Sequence, residues 1–358
     1  MKKKIVVCTD LGPVLSLLTL RDDLDVVVWP HAVDTECPQA WLLENVQGAS
    51  GLVVCFKERV DGEVIKAAGP GLRAVSTISV GYVGYDHIDL PLLASRNIQV
   101  GYTPDVLTDA VADSAVMLAL MASRRTNLTT SVVTSNAWSA FQWTPFALSA
   151  PQLSTTPFSA KRTVGFLGFG RIAQAVLRRL TFGFGVSDTI YTPRPEAPPQ
   201  VMRDAELLRG LMPNLHSLRA VDMHTLAADS DFLFVLAPGG EATRHLIDES
   251  FLRRMKPTSV LVNNGRGSVV DSTALAKALK EGWIWGAGLD VIEEEPHVGV
   301  GHVLLAEPEV REKCVVVPHL GSATHDTRAE MARLTAVNVL RGVDGEQMES
   351  GLDLGRWQ

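Results

Sequence analysis

Short apolar runs alternate with amphipathic segments along the first hundred residues. Lys4–Cys8, Asp25–Trp29, Leu52–Cys55, Leu72–Thr77 and Ile98–Gly101 read as strands, with helices over Pro38–Gln47 and Pro91–Ser95 between them. Apolar strands of this length joined through helices predict a parallel sheet covered on both faces. A second series starts at Arg162. RTVGFLGFG is a strand running into a glycine turn, and RIAQAVLRRLTF is the helix after it. Strands follow at Thr189–Tyr191, Asp231–Leu236, Ser259–Asn263, Gly286–Asp290 and Val315–Val317, with a helix over Asp271–Glu281. The fold class is therefore α/β, with two doubly wound parallel-sheet units in tandem, Rossmann-like or flavodoxin-like.

Three further segments carry information. Thr108–Ser123 is apolar nearly all round and reads as a buried helix, with Thr108 placed to cap it. Asp326–Arg341 is amphipathic and follows the last strand, so it is expected to cross back onto the first unit. Thr126–Thr163 has no clean period and reads as a long loop with short helical pieces. Its aromatics, Trp138, Phe141, Trp143, Phe146 and Phe158, suit an oligomer contact. Trp283 and Trp285 alternate along a short strand and read as packing.

The 358 residues and 46% apolar content suit two domains. A net charge of −7 with mixed signs gives no case for binding nucleic acid or an anionic membrane. The four cysteines are scattered without CxxC or Cys/His metal spacing, so neither a disulfide framework nor a metal is expected. The apolar run in MKKKIVVCTD stops at Asp10, too short for a signal peptide. No run of about 18 apolar residues appears, and the cytoplasm is the expected location.

The turn Gly165-Phe166-Leu167-Gly168-Phe169-Gly170-Arg171-Ile172-Ala173 sits between strand and helix, the context that gives a G-x-G-x-x-G/A match its meaning. Gly168 permits the tight turn, Gly170 lets the backbone approach a pyrophosphate, and Ala173 allows close packing. The helix beginning near Arg171 points free N–H groups at the phosphates. About 20 residues on, an NAD site places a carboxylate. Here Thr192 stands in that place and Arg194 follows. A carboxylate would repel a 2′-phosphate and Arg194 can bind one, which favours NADP(H). NAD(H) is retained as the alternative.

Arg266, Glu295 and His319 each lie just beyond an apolar strand, where open α/β folds bind ligands. A 2-keto acid needs a cation for its carboxylate and a proton for its carbonyl oxygen. Arginine supplies the first, and a histidine steadied by a carboxylate supplies the second. Glu293 and Glu294 compete with Glu295, which its Pro296 context singles out. The other histidines, His245 among them, are not expected to be catalytic.

These residues, together with Ser76–Gly81, Asp86–Asp89, Gly101–Asp109, Tyr191–Arg194, Gly288–Val291 and Pro318–Thr324, give a chain that resembles the D-isomer-specific 2-hydroxy acid dehydrogenase family, and within it the glyoxylate/hydroxypyruvate reductase branch. The resemblance implies that Arg266 binds substrate and polarises its carbonyl, that His319 is the acid in reduction, and that Glu295 holds it protonated. It implies a substrate cradle of N–H groups at Val80 and Gly81, and an aromatic loop, Trp138 to Phe146, that reaches the partner's active site, with Trp143 or Trp138 meeting substrate. Cofactor contacts are implied at Thr108, Gly168, Gly170, Arg171, Ile172, Thr192, Arg194, Ala237, Pro238, Asn264, Gly265, Asp290, Gly321 and Ser322, with Asp290 accepting from the nicotinamide carboxamide. It further implies a split substrate domain of residues 1–105 and 325–358, a dinucleotide-binding domain of residues 106–324, a cleft between them, and a homodimer. The run Asn264-Gly265-Arg266, the alanine at 173, and a long Pro195–Arg219 segment depart from the family pattern. Two alternatives stay open: a dinucleotide-sensing, corepressor-like binding protein, and a reductase of a bulkier 2-keto acid.

Overall fold

The computed structural model describes residues 2–32, 35–55, 57–79, 87–155, 161–193, 208 and 210–355. The chain forms two compact units, one of Met1–Leu107 with Ser322–Gln358, the other of Thr108–Gly321.

In the first unit β1 (Lys3–Val7), β2 (Leu24–Val28), β3 (Ala49–Val54), β4 (Ala74–Thr77) and β5 (Gln99–Gly101) pair in parallel, in the order β2-β1-β3-β4-β5. This is the flavodoxin-like order. Ile5, Val6, Val7, Leu52, Val53 and Val54 are all fully buried. Both faces of these strands are covered, which is why they read as continuous apolar runs.

The helix His325–Asp344 lies on β3 and β4. The approach is close enough to need glycine. A Cβ at Gly51 would fall 2.7 Å from Val343 and 2.8 Å from Val339, and one at Gly342 would fall 2.7 Å from Ala74. At the helix's end, Asp344 accepts from Lys3 Nζ at 2.6 Å and from an Arg21 guanidinium nitrogen at 2.7 Å. Arg21 first, and then Lys3, pull the Asp344 carboxyl from 3.8 to about 2. A carboxyl depressed on folding gives stability that is complete above the ordinary value and lost as pH falls through about 2. The Asp344→Asn variant is therefore expected to melt about 3 °C lower at pH 7, from roughly 1 kcal/mol after solvent screening. The gap should shrink at pH 2, which thermal melts at both pH values would check.

In the second unit β6 (Thr163–Leu167), β7 (Asp188–Thr192), β8 (Ser217–Ala220), β9 (Phe232–Val235), β10 (Val260–Asn263), β11 (Gly286–Leu289) and β12 (Cys314–Val316) form one parallel sheet, ordered β12-β11-β10-β9-β6-β7-β8. The chain winds outward from β6 to β8, then returns to β9 and winds the other way. That reversal beside β6 is the ligand-binding switch point of doubly wound sheets. One apolar layer sets Phe166 and Phe234, stacked at 5.5 Å, against Leu118, Val176 and Leu180 from the helices Thr108–Ser123 and Arg171–Phe184. The opposite layer packs the helices Met223–Asp229, Glu249–Leu252 and Ser272–Glu281 on the other face.

The structure corrects three sequence expectations. Thr108 is the first residue of its helix rather than its cap. Trp283 and Trp285 precede β11 instead of forming a strand, and guanidinium groups cover their rings, Arg253 over Trp283 and Arg125 over Trp285, each at 3.8 Å. Strand β8 was not anticipated, because Ser217–Ala220 is a half-exposed edge strand with no apolar run. The segment after residue 126 holds the helix Thr126–Thr134 and a short 3-10 turn over Trp138–Ala140. Cys8, Cys37 and Cys314 are buried and unbridged, and burial pushes the Cys314 thiol up to about 12. Among the described residues no helix is long and apolar enough to cross a membrane.

Candidate active site

β6 ends at Leu167, and the helix Arg171–Phe184 begins beyond the glycine turn. Gly168 has φ +85°, and a Cβ there would lie 3.0 Å from the backbone of Ala237, so both conformation and space demand glycine. Gly170 is different. Its φ is −86°, and a Cβ would meet no described atom within 4 Å. The missing side chain thus opens space in front of a helix start that no side chain caps. Ala173 is fully buried, Ile172 packs partly buried on the same core, and Arg171 is exposed.

Two strand ends of this sheet hold buried oxygens without a partner among the described residues. They are Thr192 Oγ1 at the end of β7 and Asn264 Oδ1 just past β10, each on a residue 8% exposed. A buried oxygen left unpaired costs about 1–3 kcal/mol, which a ligand donor would relieve. With the open cradle at Gly170, these atoms fit a bound dinucleotide. Ala237 and Pro238 follow β9, and the backbone oxygen of Ala237 would come within 2.6 Å of a Cβ on Gly265. Arg194, Val80 and Gly81 lie outside the described residues. Trp143 is 79% exposed on the aromatic segment. Thr108 is half-buried at its helix start, and Ser322, in the first unit, accepts from the Thr324 N–H at 2.9 Å.

Arg266, Glu295 and His319 all lie in the second unit, past the carboxyl ends of β10, β11 and β12. His319 Nδ1 is 3.3 Å from Glu295 Oε1, with both side chains about one-third exposed. The pairing leaves Nε2 as the atom on the far edge of the ring. His319 sits at φ +54°, a conformation that costs a non-glycine residue about 1 kcal/mol or more. Two backbone bonds from His319 N hold it there, to Asp290 O at 2.8 Å and Val317 O at 3.0 Å. The Asp290 carboxylate continues the clamp, accepting from Leu320 N at 2.7 Å and Gly321 N at 3.0 Å. Burial nonetheless raises its pKa. Asp290 thus anchors the histidine loop, a part the sequence did not suggest for it.

Arg266 donates to its neighbour Gly265 O at 2.8 Å. It lines a cavity of about 480 Å³ together with Arg244, His302 and Glu293–Glu295. The three consecutive glutamates separate clearly here. Glu293 accepts from the His245 ring at 2.6 Å and from Ser272 N at 2.9 Å. Burial pushes its carboxyl up, but these bonds outweigh it and leave the pKa below the ordinary value. Glu295 is the one facing His319. Sequence reasoning missed the His245–Glu293 pair. Its members are 48 residues apart and meet through the bridge of Ile247 with Val270, for which no local signal exists.

Residues 116–321 match the family model described as D-isomer specific 2-hydroxyacid dehydrogenase, NAD binding domain. The chain is 39% identical over 350 residues to a glyoxylate reductase of Thermococcus gammatolerans, covering 97% of this chain and 94% of that protein. It is also 39% identical to the human glyoxylate reductase/hydroxypyruvate reductase, over 93% of this chain and 92% of that one. A similar solved structure is the NADPH-dependent glyoxylate/hydroxypyruvate reductase from Sinorhizobium meliloti in complex with NADP and malonate, at 29% identity and TM-score 0.75, covering 99% and 98% of the two chains. The parallel sheet with its glycine turn at the switch point, and likeness over nearly the whole chain, place this protein in the D-isomer specific 2-hydroxyacid dehydrogenase family, as an NAD(P)-dependent oxidoreductase.

Proposed function

We propose that the protein reduces a small 2-keto acid, glyoxylate or hydroxypyruvate, to glycolate or D-glycerate with NADPH, with residues 106–324 binding the dinucleotide and residues 1–105 and 325–358 holding substrate. The observation that carries this reading is the His319–Glu295 pair at 3.3 Å, on strand ends of the same sheet that presents Arg266. When bound, the reduced nicotinamide supplies a hydride to the keto carbon. His319 gives the proton from Nε2 to the keto oxygen, so the carbonyl gains one hydride and one proton. Glu295, at Nδ1, orients the ring for that transfer. Arg266 draws electron density from the carbonyl and binds the carboxylate as a fork.

NADP(H) is favoured because Thr192 ends β7 where a carboxylate would repel the 2′-phosphate, with Arg194 two residues on. The NADPH dependence of the S. meliloti relative supports the same choice. The exposed Trp138, Trp143 and Phe146 support a homodimer.

Initial rates with glyoxylate and hydroxypyruvate, using NADPH and NADH side by side, test the reading. Fast turnover with NADPH and slow turnover with NADH is expected. Preference for NADH would remove the cofactor assignment, and no turnover with either substrate would remove the substrate class. In Arg194→Ala, NADPH affinity should fall at least tenfold more than NADH affinity, the loss of a charge-assisted phosphate contact. Gly170→Ala should leave the melting temperature unchanged, since a Cβ has room in the protein. It should still weaken cofactor binding tenfold or more, measured by fluorescence titration, because the methyl occupies the pyrophosphate's approach.

A further inference from the structure

We infer that His245 is a positioning residue for this reaction, fixing the segment that carries Arg266 against the segment that carries Glu295. The inference rests on the roles proposed above for those two residues. Both segments leave the sheet beyond the ends of β10 and β11, the first through a 3-10 turn over Gly267–Val269 and a lone bridge of Ile247 with Val270. His245 touches each. Its backbone N–H donates to Ser268 O at 2.8 Å, two residues past Arg266. Its ring bonds Glu293 Oε1 at 2.6 Å, two residues before Glu295.

The neighbours complete a closed brace. Ile247 N donates to Val269 O, and Asp271 N returns a bond to Ile247 O, both at 3.0 Å. The second oxygen of Glu293 accepts from Ser272 N, at the start of the helix Ser272–Glu281. Asp271 Oδ2 lies 3.9 Å from the other ring nitrogen of His245, so the imidazole stands between two carboxylates. His245 itself is held at φ +51°, in the left-handed region that a non-glycine residue enters only when its surroundings fix it. The brace thus joins a backbone bond on the Arg266 side and a ring bond on the Glu295 side in one residue, held at a conformational cost.

The distance between a substrate-binding arginine and the carboxylate that orients the acid must hold to within about half an ångström for full catalytic effect. Losing the ring bond leaves Glu293 tied through Ser272 N alone, and the turn that carries Glu295 loosens with it. Misplacement of about 1 Å costs on the order of a hundredfold in rate.

The test compares wild type, His245→Ala and His245→Gln, the last keeping a side-chain N–H donor within reach of Glu293. Amide hydrogen exchange across residues 266–272 and 291–296 reports the brace without reference to any substrate. Exchange should quicken in His245→Ala and return toward wild type in His245→Gln. With NADPH and glyoxylate, kcat should fall ten- to a hundredfold in the alanine variant with NADPH affinity unchanged, and glutamine should restore most of it. A lower melting temperature with unaltered kcat would reduce His245 to a structural residue and overturn the inference. Unaltered exchange in His245→Ala would overturn it too. Loss of kcat in His319→Gln alongside full kcat in His245→Ala would sink this inference alone, whereas full kcat in His319→Gln would sink the catalytic reading beneath it.

Discussion

Replacing His319 with glutamine is expected to lower kcat for keto acid reduction by about 10²–10⁴-fold, the span that one well-placed general acid contributes. Glutamine matches the reach of the imidazole and can still bond Glu295, so the loop should keep its shape. What it lacks is a proton to release near neutral pH. The backbone bonds from residue 319 to Asp290 O and Val317 O involve no side chain and survive the change. NADPH affinity should therefore stay within about twofold, and the melting temperature should move little, as for other substitutions at partly exposed positions. Stopped-flow traces would separate the chemical step from binding. Undiminished turnover would take the proton-transfer role away from His319.

Changing Gly267 to alanine is expected to damage the site from behind. A Cβ at this position would lie 2.1 Å from the carbonyl oxygen of Ile292 and 2.7 Å from the amide nitrogen of Glu293. Both are backbone atoms, so no side chain can swing aside. The 266–270 turn and the 291–295 turn would have to part. Overpacking of this kind costs about 1–3 kcal/mol, a fall of roughly 3–10 °C in melting temperature for a unit of this size. The kinetic effect should be larger, on the order of a hundredfold in kcat, because Arg266 and Glu295 flank the contact. Gly170→Ala is the control, since there a methyl has room and only cofactor binding should suffer. A Gly267→Ala enzyme with wild-type kcat would show that the two turns adjust independently.

Much of this site can be read from the linear chain for a physical reason. Gly168, Gly170, Arg266, Glu295 and His319 each follow a largely buried apolar strand or its turn. The end of such a strand in a parallel sheet is a known place in space even before the sheet is assembled. The two sheets were legible for the same reason, and Leu24–Val28 and Val260–Asn263 differ from their expected bounds by one residue. Strand β8 was not legible because Ser217–Ala220 has one neighbour and two exposed residues, so burial left no mark on its composition. Glu295 was singled out by Pro296, but the engagement of Glu293 was hidden. It depends on what that carboxylate meets across 48 residues of chain, at His245. Asp290 shows the same limit, since its hold on Leu320 and Gly321 joins two loops 30 residues apart.

The helix His325–Asp344 carries a consequence for biosynthesis. It covers β3 and β4, yet it is translated last among the helices of its unit. The five strands it serves leave the ribosome more than 200 residues earlier. At 5–20 residues per second the gap is roughly ten to forty seconds. The intervening unit, Thr108–Gly321, is continuous in the chain and can close meanwhile. Through that interval the tight slots at Gly51 and Ala74 stand empty, and the apolar face around them is open to chaperones or to a neighbouring nascent chain. Yield in the cell should therefore respond to how quickly the message for this helix is read, even where the finished fold is unchanged.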